Sequence, residues 1–119
     1  MPGVERRDFS APDETRTPDK TTVELVDLAG GQIGRYTFDP GWRWSECIKP
    51  VVGTDSCQVE HIGYAVSGTM HVTHADGSEG EVTSGDVYRI APGHDAWVVG
   101  SEPAVLVEFQ GAADYAKPT

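Results

Sequence analysis

From Thr21 onward the chain alternates short apolar runs with turns rich in Gly, Pro and Asp. In "TTVELVDLA" and "QIGRYTFD" apolar side chains recur with a period near two, and Gly30-Gly31 between them reads as a hairpin turn. "WRWSECIK" follows Pro40-Gly41 and is taken as a further strand. "HIGYAVSG" and "TMHVTHA" meet at Ser67-Gly68, "DGSEG" and "SGD" supply more turns, and "VYRI", "AWVVG" and "AVLVEFQ" complete the series. No window carries a helical apolar stripe of useful length. Many short strands at near-regular spacing predict an all-β sandwich or barrel.

The first twenty residues break this pattern. They are rich in proline and charge and poor in large apolar side chains, with Phe9 the exception. Such a segment has little apolar surface to offset its ordering entropy, so residues 1–20 are expected to be a flexible tail or a loosely docked arm. Residues 21–119 are expected to form the barrel, a single domain in a chain of 119 residues. The N-terminal segment lacks the apolar stretch of a secretory signal, and no apolar run reaches the length of a membrane span. The expectation is a cytoplasmic protein. Two cysteines in that setting read as thiols or metal ligands rather than a disulfide. A net charge of −10 argues against nucleic acid or an anionic membrane as a partner.

Glycine spacing narrows the fold. Gly41 precedes Cys47 by six residues, His61 precedes Gly68 by seven, and Gly85 precedes Gly93 by eight in "GDVYRIAPG". From Gly41 to Ala96 the chain resembles the cupin superfamily, whose fold is a double-stranded β-helix, a jelly-roll barrel. The cupin pattern is a glycine, five residues, His-x-His, a short gap, Glu, six residues, Gly, and then a glycine, five residues, Pro-x-Gly, two residues, His. "SGDVYRIAPG" is its most specific match here.

The ligand positions of that pattern are altered. Cys47 stands at the first histidine, Lys49 at the second and His61 at the glutamate. Eleven residues separate Lys49 from His61, so "PVVGTDSCQVE" reads as an inserted loop. Ala91 replaces the proline and Ala96 the last histidine, with His94 two residues earlier. The resemblance therefore implies Cys47 and His61 as occupants of ligand positions. Residues two apart on a strand share a face, which adds His94. A thiolate with two imidazoles is a good ligand set for a divalent metal, zinc above all, and leaves a coordination position open. The competing reading is a buried thiol acting as a small apolar side chain, with ordinary structural histidines.

Treated as a strand, "WRWSECIK" would turn Arg43, Ser45, Cys47 and Lys49 inward. Arg43 and Lys49 would then be placed to hold a carboxylate, or else to extend their heads to the barrel mouth. Tyr64 and Trp97 complete the candidate substrate-binding set, although aromatic residues on strands are more often core. Trp42 and Trp44 would share the opposite face, and exposed tryptophans suggest a homodimer. Cys57 falls in the inserted loop and reads as a free thiol. His71 and His74 differ in parity, so at most one faces inward; His71 is the alternative third ligand. Two function classes follow. One is a metal-dependent enzyme acting on a small organic ligand, for which the resemblance implies lyase, isomerase, cyclase or dioxygenase chemistry. The other is a ligand-binding or sensing module without turnover or metal.

Overall fold

The computed structural model describes residues 3–112 and 115–117. Its strands are β1 (Glu14–Arg16), β2 (Thr21–Leu28), β3 (Gly31–Phe38), β4 (His61–Ser67), β5 (Thr69–His74), β6 (Glu79–Thr83), β7 (Val87–Ile90), β8 (His94–Val98) and β9 (Ala104–Gln110). They form two antiparallel sheets, one ordered β1-β2-β3-β9-β4-β7 and the other β6-β5-β8. The all-β cupin-type jelly roll expected from the sequence is the fold observed. Among the described residues no helix is long and apolar enough to cross a membrane.

Strand periodicity does the positioning. On β4, His61, Gly63 and Ala65 turn inward while Ile62, Tyr64 and Val66 turn out. On β9 the inward series is Ala104, Leu106 and Glu108, and on β8 it is His94, Ala96 and Val98. The register Gly63↔Glu108 brings the inward faces of β4 and β9 together. At Gly68, with φ of +77°, the chain turns from β4 in the first sheet into β5 in the second, a backbone state that favours glycine.

The segment taken as a third strand folds differently. "WRWSECIK" enters two short helices, α1 (Trp44–Cys47) and α2 (Lys49–Val52). Trp44, Cys47 and Ile48 are buried at positions i, i+3 and i+4, the spacing of a helical face. Pro50 falls in the first turn of α2, where a missing N–H costs nothing, and Gly53 ends it in the left-handed region. A period-two reading was therefore wrong from Trp44 onward, while Arg43 is extended and bridges to Trp97. Trp42 and Trp44 are 2% and 1% exposed, covered by their own chain rather than by a second one. Phe38 stacks on Trp42 at 3.9 Å between ring centroids.

The described part of residues 1–20 lies against the barrel. β1 pairs with β2, and the Asp13 N–H donates to the Leu25 carbonyl at 2.8 Å. Arg7 bridges Asp13 at 2.8 Å, and the Arg35 guanidinium covers the Phe9 ring at 4.9 Å. Arg16 donates to the backbone oxygens of Tyr115, at 2.6 Å, and Ala112, at 3.3 Å. These ties favour a docked arm over a free one. Brief trypsin digestion of the native protein should cut after Arg6, ahead of the bridged Arg7, and spare Arg16. Early cleavage after Arg16, leaving a fragment that starts at Thr17, would show that β1 is not held.

Candidate metal centre

Three elements bring their side chains to one buried point. β4 supplies His61, β8 supplies His94, and the inserted loop supplies Cys57. The loop reaches the site through its backbone: the Cys57 N–H donates to the His94 carbonyl at 2.8 Å, and the Gly93 N–H donates to the Cys57 carbonyl at 2.7 Å. Ligand-type atoms of Cys57, His61 and His94 all lie within 4.8 Å of one another, and all three residues are buried.

Each imidazole is oriented from behind. The Nδ1–H of His61 donates to Glu108 Oε1 at 2.6 Å, which leaves Nε2 towards Cys57 Sγ at 3.6 Å. The Nδ1–H of His94 donates to the Ala91 carbonyl at 2.7 Å, so its Nε2 is the nitrogen with a lone pair to offer. Glu108 is 1% exposed, and its second oxygen, Oε2, accepts from the Tyr88 hydroxyl at 2.6 Å. Gly63 makes this possible: a Cβ there would meet the Val107 carbonyl at 2.5 Å, the Tyr88 hydroxyl at 2.8 Å and Glu108 Cγ at 3.0 Å.

The electrostatics follow from this packing. Burial pushes the Cys57 thiol up, but hydrogen bonds and charge from His61 and His94 outweigh it and pull it down to about 6. Burial pushes the His61 imidazolium down, but Cys57 and Glu108 outweigh it and lift it to about 9. Burial, with the Glu108 charge beside it, holds the Tyr88 phenol well above its ordinary value, so it stays a donor to Glu108.

A chamber of about 20 Å³ adjoins the group, lined in part by His61, His94 and Glu108. Tyr115 walls it, stacked on Tyr36 at 4.7 Å and edge-on to His61 at 5.4 Å. Two donors of wall residues, Trp42 Nε1 and Trp44 Nε1, find no acceptor among the described residues, while the Tyr36 hydroxyl lies beside the Glu108 carboxylate. An unsatisfied buried donor costs about 1–3 kcal/mol.

The donor chemistry fits a divalent metal. One thiolate and two neutral imidazoles form a common zinc ligand set, with a carboxylate and a carbonyl oxygen fixing the tautomers behind them. The structure brings together two of the three residues expected as ligands, His61 and His94, and supplies Cys57 as the third. Cys47 is elsewhere. It lies in α1, and its nearest polar partner is Asp19 Oδ2, 3.9 Å from Sγ. Both cysteines are free thiols.

None of the four expected substrate-binding residues lines the chamber. Arg43 precedes α1, pairs with Asp95 at 3.4 Å and covers the outward-facing Trp97 ring at 4.3 Å. Lys49, in α2, is half-exposed near Asp55. Tyr64 points outward from β4 and is 42% exposed. Lys49 left the inward face with α2, Arg43 is extended with the buried Trp42 and Trp44 on the opposite side, and strand parity turns Tyr64 and Trp97 away. His71 also points outward, against Trp97 and near Glu79 and Glu81, so it is no substitute ligand.

Three participants escaped the sequence reading: Cys57, Glu108 and Tyr115. "CQVEH" places two metal-binding residue types four apart, and an acid interrupts the apolar run "AVLVEFQ" at inward parity. Both signals were readable. Nothing local marks Tyr115.

Comparison with known proteins agrees on the fold. No protein-family sequence model matches the chain, and no curated protein sequence matches it. A structure of unknown function from Rhizobium leguminosarum bv. viciae 3841 is similar over 98% of both chains, with 16% identity and a TM-score of 0.64. The oxalate decarboxylase of Lactobacillus farciminis, in its formate complex, is similar over 93% of this chain with 14% identity and a TM-score of 0.60; the match spans 35% of that longer chain. KdgF from Halomonas sp. is similar over 80% of this chain and 82% of its own, with 18% identity and a TM-score of 0.54. Oxalate decarboxylase and KdgF are cupins, and the chain has the cupin fold.

A metal held by this group would bind with a defined pH dependence, because it would need Cys57 as thiolate and His61 neutral. Between about pH 9 and pH 6 the pair is thiolate and imidazolium, so binding displaces one proton. Below about pH 6 the thiol is protonated too, and two protons leave. Zinc affinity measured against a competing chelator should fall about tenfold per pH unit in the first range and about a hundredfold per unit in the second. Affinity independent of pH would exclude this pair as ligands.

Proposed function

We propose that the protein is a metal-dependent cupin that holds one divalent ion, zinc by preference, on Cys57, His61 and His94, and acts on a small organic ligand. The observation that carries this is the convergence of three buried ligand atoms, with both histidines oriented through Nδ1 by protein oxygens. When bound, the metal supplies Lewis-acid polarisation of a ligand oxygen at its open position. The protein's own contribution is orientation and dryness. Glu108 retains the Nδ1 proton of His61, Tyr88 retains the second oxygen of Glu108, and the aromatic wall of Tyr36, Trp42, Trp44 and Tyr115 excludes bulk water. A soft thiolate favours zinc over harder ions such as Mn²⁺.

A second reading is a non-catalytic sensing module. The chamber of about 20 Å³ favours it, since a volume of that size admits little more than a water or two. Turnover of small organic substrates by the zinc-loaded protein, against saturable binding without product, separates the two.

Elemental analysis of untagged protein purified without added metal tests the site. About one zinc per chain is expected. Cys57→Ala should lower zinc affinity by at least about tenfold with the fold intact, and Cys47→Ala should leave it unchanged. The reverse pattern would move the site to Cys47, and full metal in both would remove thiols from it.

The two free thiols support a reducing, cytoplasmic compartment. A second copy of the chain is the proposed macromolecular partner. The support is no longer the tryptophans but the outward face of β4 and the sheet-edge strand β7, where Tyr64 is 42%, Val66 46% and Val87 79% exposed. Light scattering should give about twice the 12.8 kDa chain mass, and Tyr64→Lys should shift it to the monomer. A wild-type monomer would end the dimer proposal.

A further inference from the structure

A second cavity lies away from the metal group. The edge strands β6 and β7 belong to different sheets and border one groove of about 360 Å³. That volume falls within the range of small-molecule sites, about 300–1,000 Å³. The floor is apolar: Val72, Val82 and Ile90 border the groove and are each at most 9% exposed. Gly80 keeps it open. It pairs with the inward-facing Val72, so a side chain at 80 would point into the groove. A Cβ there would meet nothing within 4 Å, and Gly80 is not among the glycines with a left-handed φ. Neither the backbone nor a close contact requires glycine at this position, and what its missing side chain leaves is space.

The rim is acidic. Glu79 and Glu81 flank Gly80, border the groove and keep side chains that are 62% and 54% exposed. Among the described residues neither pairs with a lysine or an arginine; His71 lies against them on the outer face of the sheet, at 3.7 Å and 3.4 Å. Arg89, the basic residue that borders the groove, is already bridged by Glu60 at 3.0 Å. His74 Nε2 is engaged by the Ala91 carbonyl at 3.0 Å. An anion in the groove would meet two carboxylates, and a neutral apolar molecule would leave them unused. An ammonium ion gains charge-assisted hydrogen bonds from both, and an apolar chain attached to it covers the floor. The chain's charge of −10 adds attraction for a cation at a distance.

We propose that the groove between β6 and β7 is a binding site for a small alkylammonium ion. Its chain lies on Val72, Val82 and Ile90 in the space left by Gly80, and its ammonium group sits at Glu79 and Glu81. The site shares no residue with the group of Cys57, His61 and His94, so it stands or falls apart from the metal reading.

The test is calorimetric titration of the full chain with hexylammonium chloride. Three controls accompany it: hexanoate reverses the charge, hexanol removes it, and methylammonium removes the chain. Hexylammonium should bind saturably, and each control should bind at least about tenfold more weakly. Raising the salt concentration should weaken hexylammonium, because the rim carboxylates are exposed. Gly80→Val places a strand-favouring side chain in the open space and should weaken hexylammonium about tenfold or more, with zinc stoichiometry unchanged. The double change Glu79→Gln with Glu81→Gln alters exposed side chains alone. It should bring hexylammonium to within a few-fold of hexanol, and it stands as the test if Gly80→Val does not fold. No saturable binding of hexylammonium by the folded wild-type chain overturns the proposal. Hexanoate or hexanol binding as tightly as hexylammonium overturns it too, as does wild-type affinity in a folded Gly80→Val protein or in the double variant.

Discussion

The hydrogen bond between Glu108 and His61 is the constraint on which the centre of this barrel depends. A carboxylate that is 1% exposed is tolerable only when its lone pairs are used, and here His61 and Tyr88 each take one oxygen at 2.6 Å. That requirement fixes several choices at once. β9 must pair with β4 so that Glu108 lies beside residue 63, and residue 63 must be glycine because a Cβ would press on the Val107 carbonyl, the Tyr88 hydroxyl and Glu108 Cγ. Tyr88 must face inward from β7. His61, held through Nδ1, presents Nε2 to the interior. Removing one partner leaves an uncompensated buried group, so the set stands or falls together.

The inserted loop adds what the strands lack. Strands deliver His61 and His94, and the loop delivers the third member of the group, Cys57. The two backbone hydrogen bonds that tie Cys57 to Gly93 and His94 fix the end of the loop to the start of β8. The thiol is therefore positioned by main chain, at the same turn that positions His94. A loop of this kind is otherwise an unreliable place for a ligand, because loops are the mobile part of a fold. Docking it by backbone bonds on a rigid strand removes that difficulty.

The strands were legible because their apolar residues alternate and their turns carry glycine. The misreading of "WRWSECIK" has a specific cause. Over eight residues, Trp42 and Trp44 satisfy period two, while Trp44, Cys47 and Ile48 satisfy the helical period, and the sequence alone does not choose between them. That one segment carried three of the expected site residues, Arg43, Cys47 and Lys49, and none of the three lines the chamber. His94 was legible from parity with Ala96. Cys57 carried a signal, its place four residues before His61, but nothing local reveals that its loop returns to the strand. Glu108 was visible as an acid in an apolar strand, but its partner is far away in sequence, and only the pairing of β4 with β9 identifies it.

The chamber wall shows how distant parts of the chain are joined at one site. Tyr36 comes from β3, Trp42 and Trp44 from the turn into α1, and Tyr115 from the segment after β9. Tyr115 stacks on Tyr36, and its carbonyl accepts from Arg16 on β1 at 2.6 Å. The N-terminal arm thus reaches the chamber through one guanidinium and one backbone oxygen. A low-dielectric enclosure strengthens every hydrogen bond made inside it and raises the cost of each one left unmade. The residues that wall the chamber therefore set the strength of the hydrogen bonds that hold His61 and Glu108, through the medium around them.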